Sequence, residues 1–256
     1  MKRCLLLLAL LMPIQALAQG VVEEDEEELR AAPAAPTFRG TLPPRVDLSG
    51  RVPRPRDQGP TGTCVGWAVA YAAATAHHRG RGTLPPGSGL SPSFLYNRLA
   101  GDLSCQRGVR VSQALEALRT TGGLPIDEFA FDGGWCGRQP TEAELARAAR
   151  WRIPGWAALP PGDLDAMRRQ LARGYPVIFA MPVGAAMREH RGEGVFGRPE
   201  LAAGAELHAM VAVGYDDARR AVRVVNSWGQ RWGDGGFAWF GYDLLSRQAG
   251  QMFIVN

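Results

Sequence analysis

The run Leu207-His208-Ala209-Met210-Val211-Ala212-Val213-Gly214-Tyr215 is followed by the polar Asp216-Asp217-Ala218-Arg219-Arg220, and then by Ala221-Val222-Arg223-Val224-Val225-Asn226-Ser227-Trp228-Gly229. Two short apolar runs on either side of a polar turn predict a β-hairpin. The hairpin sets an imidazole, His208, inside one strand and an asparagine, Asn226, at the end of the other. A lone histidine in an apolar strand is ordinarily a hydrogen-bonded core residue. Here Asn226 supplies an acceptor that can orient the ring, and the indole of Trp228 can shield that bond from water.

Outward from the hairpin, the C-terminal half continues as strands. Tyr175 to Val183, Gly236 to Phe240 and Met252 to Val255 are short apolar runs between turn residues. The N-terminal half reads as helices. Cys64 to Arg79 is rich in Ala, Val, Trp and Tyr and stops at Gly80, which predicts a buried helix. Ser91-Pro92 opens a second helix with proline at its first position, and Val111 to Arg119 forms a third. Thr141-Glu142-Ala143-Glu144 has the form of a capping box opening a fourth, and Asp163 to Arg173 forms a fifth, stopped by Gly174. Helices first and strands later predict an α+β chain of two unlike parts, without internal repeats.

The N-terminus predicts export. Lys2-Arg3, the apolar run Leu5 to Met12 and the small residues Ala16-Leu17-Ala18 have the layout of a cleaved signal over 1–18. The apolar run is shorter than the roughly 20 residues a spanning helix needs. Residues 19–44 carry the acidic block Glu23 to Glu28 and then Ala31-Ala32-Pro33-Ala34-Ala35-Pro36, which reads as a flexible segment. The globular domain is expected over 45–256, with its helical part at about 55–150 and its strand-rich part at about 151–256. The formal net charge is +4, and every cation after Lys2 is arginine. No basic stripe points to nucleic acid.

Export changes the meaning of the cysteines. Once Cys4 leaves with the signal, Cys64, Cys105 and Cys136 remain. An odd number in an oxidising compartment suggests one disulfide and one free thiol. Cys105 and Cys136, both in loop-like surroundings, are the natural pair, which leaves Cys64 free at a predicted helix start. Unpaired N–H groups there favour thiolate, although a free cysteine is more often a small core residue. A nucleophile needs a base within reach. His77 and His78 close the helix that Cys64 opens, roughly 20 Å away at about 1.5 Å per residue. His190, among Arg188, Glu189 and Arg191, reads as a solvated side chain. His208 remains.

Taken together, these residues resemble the papain family of cysteine peptidases, as a divergent bacterial-type member. Gln58-Gly59 through Cys64 has the family's spacing from oxyanion-hole glutamine to nucleophile. Leu207-His208-Ala209 with Val213-Gly214-Tyr215 matches the histidine strand. Asn226-Ser227-Trp228-Gly229, with Trp232-Gly233 and Gly235-Gly236-Phe237, matches the asparagine signature. The resemblance implies a papain-like two-lobed fold, with a helical lobe, an antiparallel β-barrel-like lobe and the cleft between them. It implies Cys64 as nucleophile, His208 as base, Asn226 orienting it, and Gln58 with the Cys64 amide binding the oxyanion. Gly108 would pair with bound peptide, Trp228 would cover the His208–Asn226 bond, and Leu207 would floor the site.

The chain departs from the pattern at Val65, where tryptophan is usual, and at Thr61, where a cysteine is usual. Residues 19–44 are too few for the family's helical propeptide, and read as a linker, with an extended tail across the cleft as the alternative. The function expected is an exported endopeptidase, periplasmic or extracellular, acting on peptide or protein. It is expected to be monomeric, without metal, cofactor or nucleic acid, and off the membrane after signal removal. The alternatives are an acyl transferase of transglutaminase or transpeptidase type on the same site, and a non-catalytic peptide-binding module.

Overall fold

The structure is a computed structural model that describes residues 20–37, 40–199 and 206–256. The expected signal over 1–18 lies outside the described residues.

The helical part is built on α2, residues 64–80, which is α-helical at Cys64–Gly66, π-wound through Trp67–Ala74 and α-helical again at Thr75–Gly80. Residues 64–78 are all buried, as suits a helix apolar on every side. Around it pack α3 (Pro92–Ala100), α4 (Val111–Thr120) and α5 (Glu142–Ala148). Each starts or packs as its sequence dictates. Ser91 Oγ accepts the Phe94 N–H, and the Thr141–Glu144 capping box is complete. Val111, Ala114, Leu115 and Leu118 form the buried stripe of α4.

The second part is a sheet. Its strands are β1 (Arg45–Asp47), β2 (Trp156–Leu159), β3 (Val177–Val183), β4 (Val195–Phe196), β5 (Glu206–Asp216), β6 (Ala221–Val225), β7 (Phe237–Gly241) and β8 (Met252–Val255). They are ordered β2-β8-β3-β5-β6-β7-β4, with β1 added on β5. All neighbours are antiparallel except β4 and β7, which are parallel. The α+β architecture matches expectation, but the strand-rich part is an open mixed sheet and not a closed barrel. Closure would require β2 and β4, at opposite ends of the order, to pair.

The hairpin read from sequence is β5–β6, with a register shift between Ala212 and Gly214. A side chain at Gly214 would collide with the Val46 carbonyl, so glycine there lets β1 lie against β5. One face of β5 meets α2, where Ala209, Val211 and Val213 join Val65, Ala68 and Val69. The other face packs with α6 (Leu164–Ala172) and α8 (Tyr242–Gln248). The central strand is therefore buried on both sides, which explains its continuous apolar run.

Within the segment expected to be flexible, residues 20–36 lie against the domain. Val21 is buried and bridges Val109 in parallel, and Glu26–Ala31 forms a short helix, α1. Both Glu24 carboxylate oxygens accept from Ser112 at the start of α4, from its N–H at 2.8 Å and its Oγ at 2.5 Å. Arg110 pairs with Asp25 and Glu28. Further on, Ala34 bridges Ala158, and the Pro36 carbonyl accepts from Gln170 and Arg173. A composition poor in apolar residues cannot fold alone, but this one docks on a surface that supplies the missing partners.

Candidate active site

Cys64 stands at the first position of α2, where the sequence places it, and is free and buried. The loop leading to it is held through Gln58. Its backbone N–H donates to Ser227 O at 2.8 Å, its Oε1 accepts from Ser227 Oγ at 2.6 Å, and its Nε2 donates to Thr61 O at 2.6 Å. Both ends of the amide are thus clamped beside the cysteine loop, with one of the two Nε2 hydrogens used on Thr61. Ser227 was not singled out in the sequence. Its position between Asn226 and Trp228 was the available signal.

His208 Nε2 lies 2.7 Å from Asn226 Oδ1, and the same oxygen accepts the Ser227 N–H at 2.7 Å. Oδ1 cannot donate, so Nε2 carries the proton and Nδ1 is the acceptor of the neutral ring. The Trp228 indole stacks on the imidazole with centroids 4.5 Å apart and planes 26° from parallel. On the Cys64 side, the helix start packs on β5, and Cys64 shares a core cluster with Ala209, the residue after His208. His208, Asn226, Ser227, Gln58 and Trp228 form one connected assembly, and the helix start at Cys64 packs on the strand that carries His208.

Burial disfavours the charged form of both Cys64 and His208. Burial pushes the Cys64 thiol up to about 12, against the lowering effect of backbone N–H groups from Ala209, Val65 and Cys64 itself. Burial also pulls His208 down to about 4. The Asn226 bond opposes that shift and the nearby Arg188 guanidinium adds to it.

Part of that burial comes from residues 20–22. A Cβ built on Gly20 would overlap the Cys64 sulfur, so only glycine allows this close approach. Val21 then pairs with Val109, and the Val22 N–H donates to Val109 O at 3.1 Å. Gly108, expected to pair with peptide, adjoins Val109, the residue that bridges Val21. Leu207 is half-buried and packs against the core around α2. The acidic, Pro/Ala-rich composition favours a linker over a cleft-crossing tail in the sequence, although the apolar Val21-Val22 ahead of the acidic block points the other way.

The other histidines lie apart from this assembly. His78 bonds Thr83 Oγ1 and the Trp151 carbonyl within the helical part. His190 is not the solvated side chain expected. It packs against Phe196 and Trp232, with centroids 5.4 and 6.2 Å away, because β4 brings Phe196 under its loop. Cys105 and Cys136 are disulfide-bonded, as paired from the sequence. Among the described residues no group of three or more His, Cys, Asp or Glu side chains is arranged to hold a metal.

A family model described as "Papain family cysteine protease" matches residues 42–248. Mouse cathepsin K is 26% identical over 211 residues, 79% of this chain and 61% of its own length. A cathepsin L-like peptidase of Aedes aegypti is 27% identical over 206 residues, 77% of this chain and 58% of its own. The chain thus spans about three-fifths of the length of these relatives. Among solved structures, xylellain, a cysteine protease from Xylella fastidiosa, superposes with a TM-score of 0.80 at 22% identity, covering 94% of this chain and 96% of that one. The Carica candamarcensis cysteine protease in complex with E-64 gives 0.65 at 23% identity, covering 84% and 99%. At such identities the superpositions speak to fold.

Proposed function

This chain belongs to the papain family of cysteine proteases, and from that premise we propose that it hydrolyses peptide bonds through Cys64, His208 and Asn226. The observation that carries the reading is the 2.7 Å His208–Asn226 bond under the stacked Trp228, on the strand against which the helix start at Cys64 packs. In this mechanism Nδ1 of His208 takes the thiol proton and the thiolate attacks the scissile carbonyl, forming the C–S bond. The Cys64 N–H and the second Nε2 hydrogen of Gln58 receive the oxyanion. The imidazolium then protonates the amine nitrogen as the C–N bond breaks, and water, deprotonated by His208, cleaves the thioester and restores the thiol.

The state described here is latent in this reading. Gly20 rests on the Cys64 sulfur and desolvates the thiol, and a thiol and an imidazole that are both buried stay neutral. Departure of the segment would hydrate the thiol and let the thiolate–imidazolium pair form. Export fits the disulfide, and among the described residues no helix is long and apolar enough to cross a membrane.

The test is mass spectrometry of a peptide mixture incubated with the protein, with and without an added amine. New termini carrying water, absent with Cys64→Ala, are the expected result. Amine incorporation in place of hydrolysis would move the chemistry to acyl transfer, and identical products from wild type and Cys64→Ala would end the catalytic reading.

A further inference from the structure

The proton that leaves His208 goes to the departing amine, so the residues following the scissile bond lie over His208 and the Trp228 stacked on it. There the structure holds a groove of about 260 Å³ lined by Asp57, Arg188, Arg191, Trp228, Arg231 and Trp232. Three guanidinium groups face one carboxylate. Arg188 is already committed: it pairs with Glu206 and lies 5.1 Å from the Trp228 ring centroid. Arg191 is anchored through Nη1 to the carbonyls of Arg188 and His190, at 3.0 and 2.7 Å, bonds that leave Nη2 and Nε unused. Arg231 is exposed and has no ion pair or hydrogen bond among the described residues. Asp57 directs one carboxylate oxygen at the Gly59 N–H and pairs with none of the three arginines.

Two uncommitted guanidinium groups beside an aromatic floor form a receptor for a carboxylate. The planar fork matches the two oxygens, and the indole faces exclude water on one side. Nothing in the fold itself uses Arg231. We propose that this groove selects substrates carrying a carboxylate on the leaving-group side of the scissile bond, held by Arg191 and Arg231 above Trp228. The inference rests on the proteolytic reading and adds a substrate class to it: peptides acidic just after the cleavage point.

An exposed ion pair contributes up to about a fivefold preference, so two imply up to about 25-fold in kcat/KM at low salt, shrinking as salt screens them. The test uses internally quenched peptides of one sequence with Glu, Gln or Lys at each of the first three positions after the bond. Matched peptides ending there as free acid or amide distinguish a side-chain carboxylate from a chain terminus. A coumarin amide, which has no residues on that side, reports hydrolysis alone. Ratios are taken within one preparation, so the fraction of open cleft cancels.

The expected result is Glu over Gln over Lys at one or more positions, with the ratio collapsing in Arg231→Glu and falling in Arg191→Gln. Arg231 is exposed and unpartnered, so its replacement is compatible with folding. Equal cleavage of the Glu and Lys peptides by an enzyme that hydrolyses the coumarin amide would overturn the inference and leave proteolysis standing. So would a preference unchanged in both variants. Failure of the Glu24→Ala protein, in which residues 20–24 are released, to cut any peptide or the coumarin amide would overturn proteolysis, and this inference with it.

Discussion

Replacing Glu24 with alanine should open the cleft. Its carboxylate takes two hydrogen bonds from Ser112, at 2.8 Å from N and 2.5 Å from Oγ, at the N-terminus of α4. Hydrogen bonds to a charged group contribute about 1.5–3 kcal/mol, and a carboxylate at a helix N-terminus adds about 0.3–1 kcal/mol. Side-chain ordering and partial exposure offset some of this, leaving about 2–3 kcal/mol for holding residues 20–24 in place. That corresponds to an open fraction about 30- to 150-fold larger in Glu24→Ala. The open fraction is measurable as the second-order rate of Cys64 modification by a thiol-directed epoxide, followed on the Cys64 peptide by mass spectrometry. Cys64→Ala is the blank. Ser112→Ala removes only the Oγ bond and should give a smaller increase. If Glu24→Ala reacts within twofold of wild type, the segment does not gate the thiol and the latent reading fails.

Three further outcomes follow from the geometry. Gln58→Ala should lower kcat about 10²–10³-fold, whereas Ser227→Ala, which frees Gln58 Oε1 but keeps the amide, should cost much less; steady-state kinetics separates the two. Stability should decline as pH falls from 6.5 toward 4, because His208 and His77 are held near 4 in the folded chain and take up protons near 6.5 once unfolded; thermal melts across that range should show the slope, reduced in His208→Asn. The thiol acts in the opposite window, with stability lost above pH 9 as the unfolded cysteine ionises. Cys105→Ser with Cys136→Ser should cost about 3–4 kcal/mol in urea unfolding, from a loop closed across a separation of 31 residues.

The chemistry was legible wherever it rests on short-range pattern. Turn residues and strand period announce the β5–β6 hairpin, and with it the placing of His208 opposite Asn226, because two runs joined by a tight polar loop have few other ways to pair. The helix start puts Cys64 among free N–H groups by local geometry alone. Thr141 and Glu144 cap each other across three residues and need no tertiary help. The open, partly parallel edge of the sheet was not legible. The pairing of the two-residue β4 with β7 is decided by where the chain arrives and not by propensity. His190 misled because its polar neighbours describe the loop but not the Phe196 and Trp232 beneath it.

Residues 20–36 mark the boundary most clearly. The sequence by itself determined that this stretch cannot fold alone, that Cys64 is the thiol a Cys105–Cys136 pair leaves free, and that a histidine and an asparagine share a hairpin. Only the tertiary structure decided that Gly20 rests on the Cys64 sulfur, that Val109 bridges Val21, and that Ser112 receives Glu24. The physical reason is that each of these contacts joins residues far apart in the chain, and none is strong enough alone to leave a periodic trace. Their free energy appears only when α2, α4 and β5 have already been packed around one another.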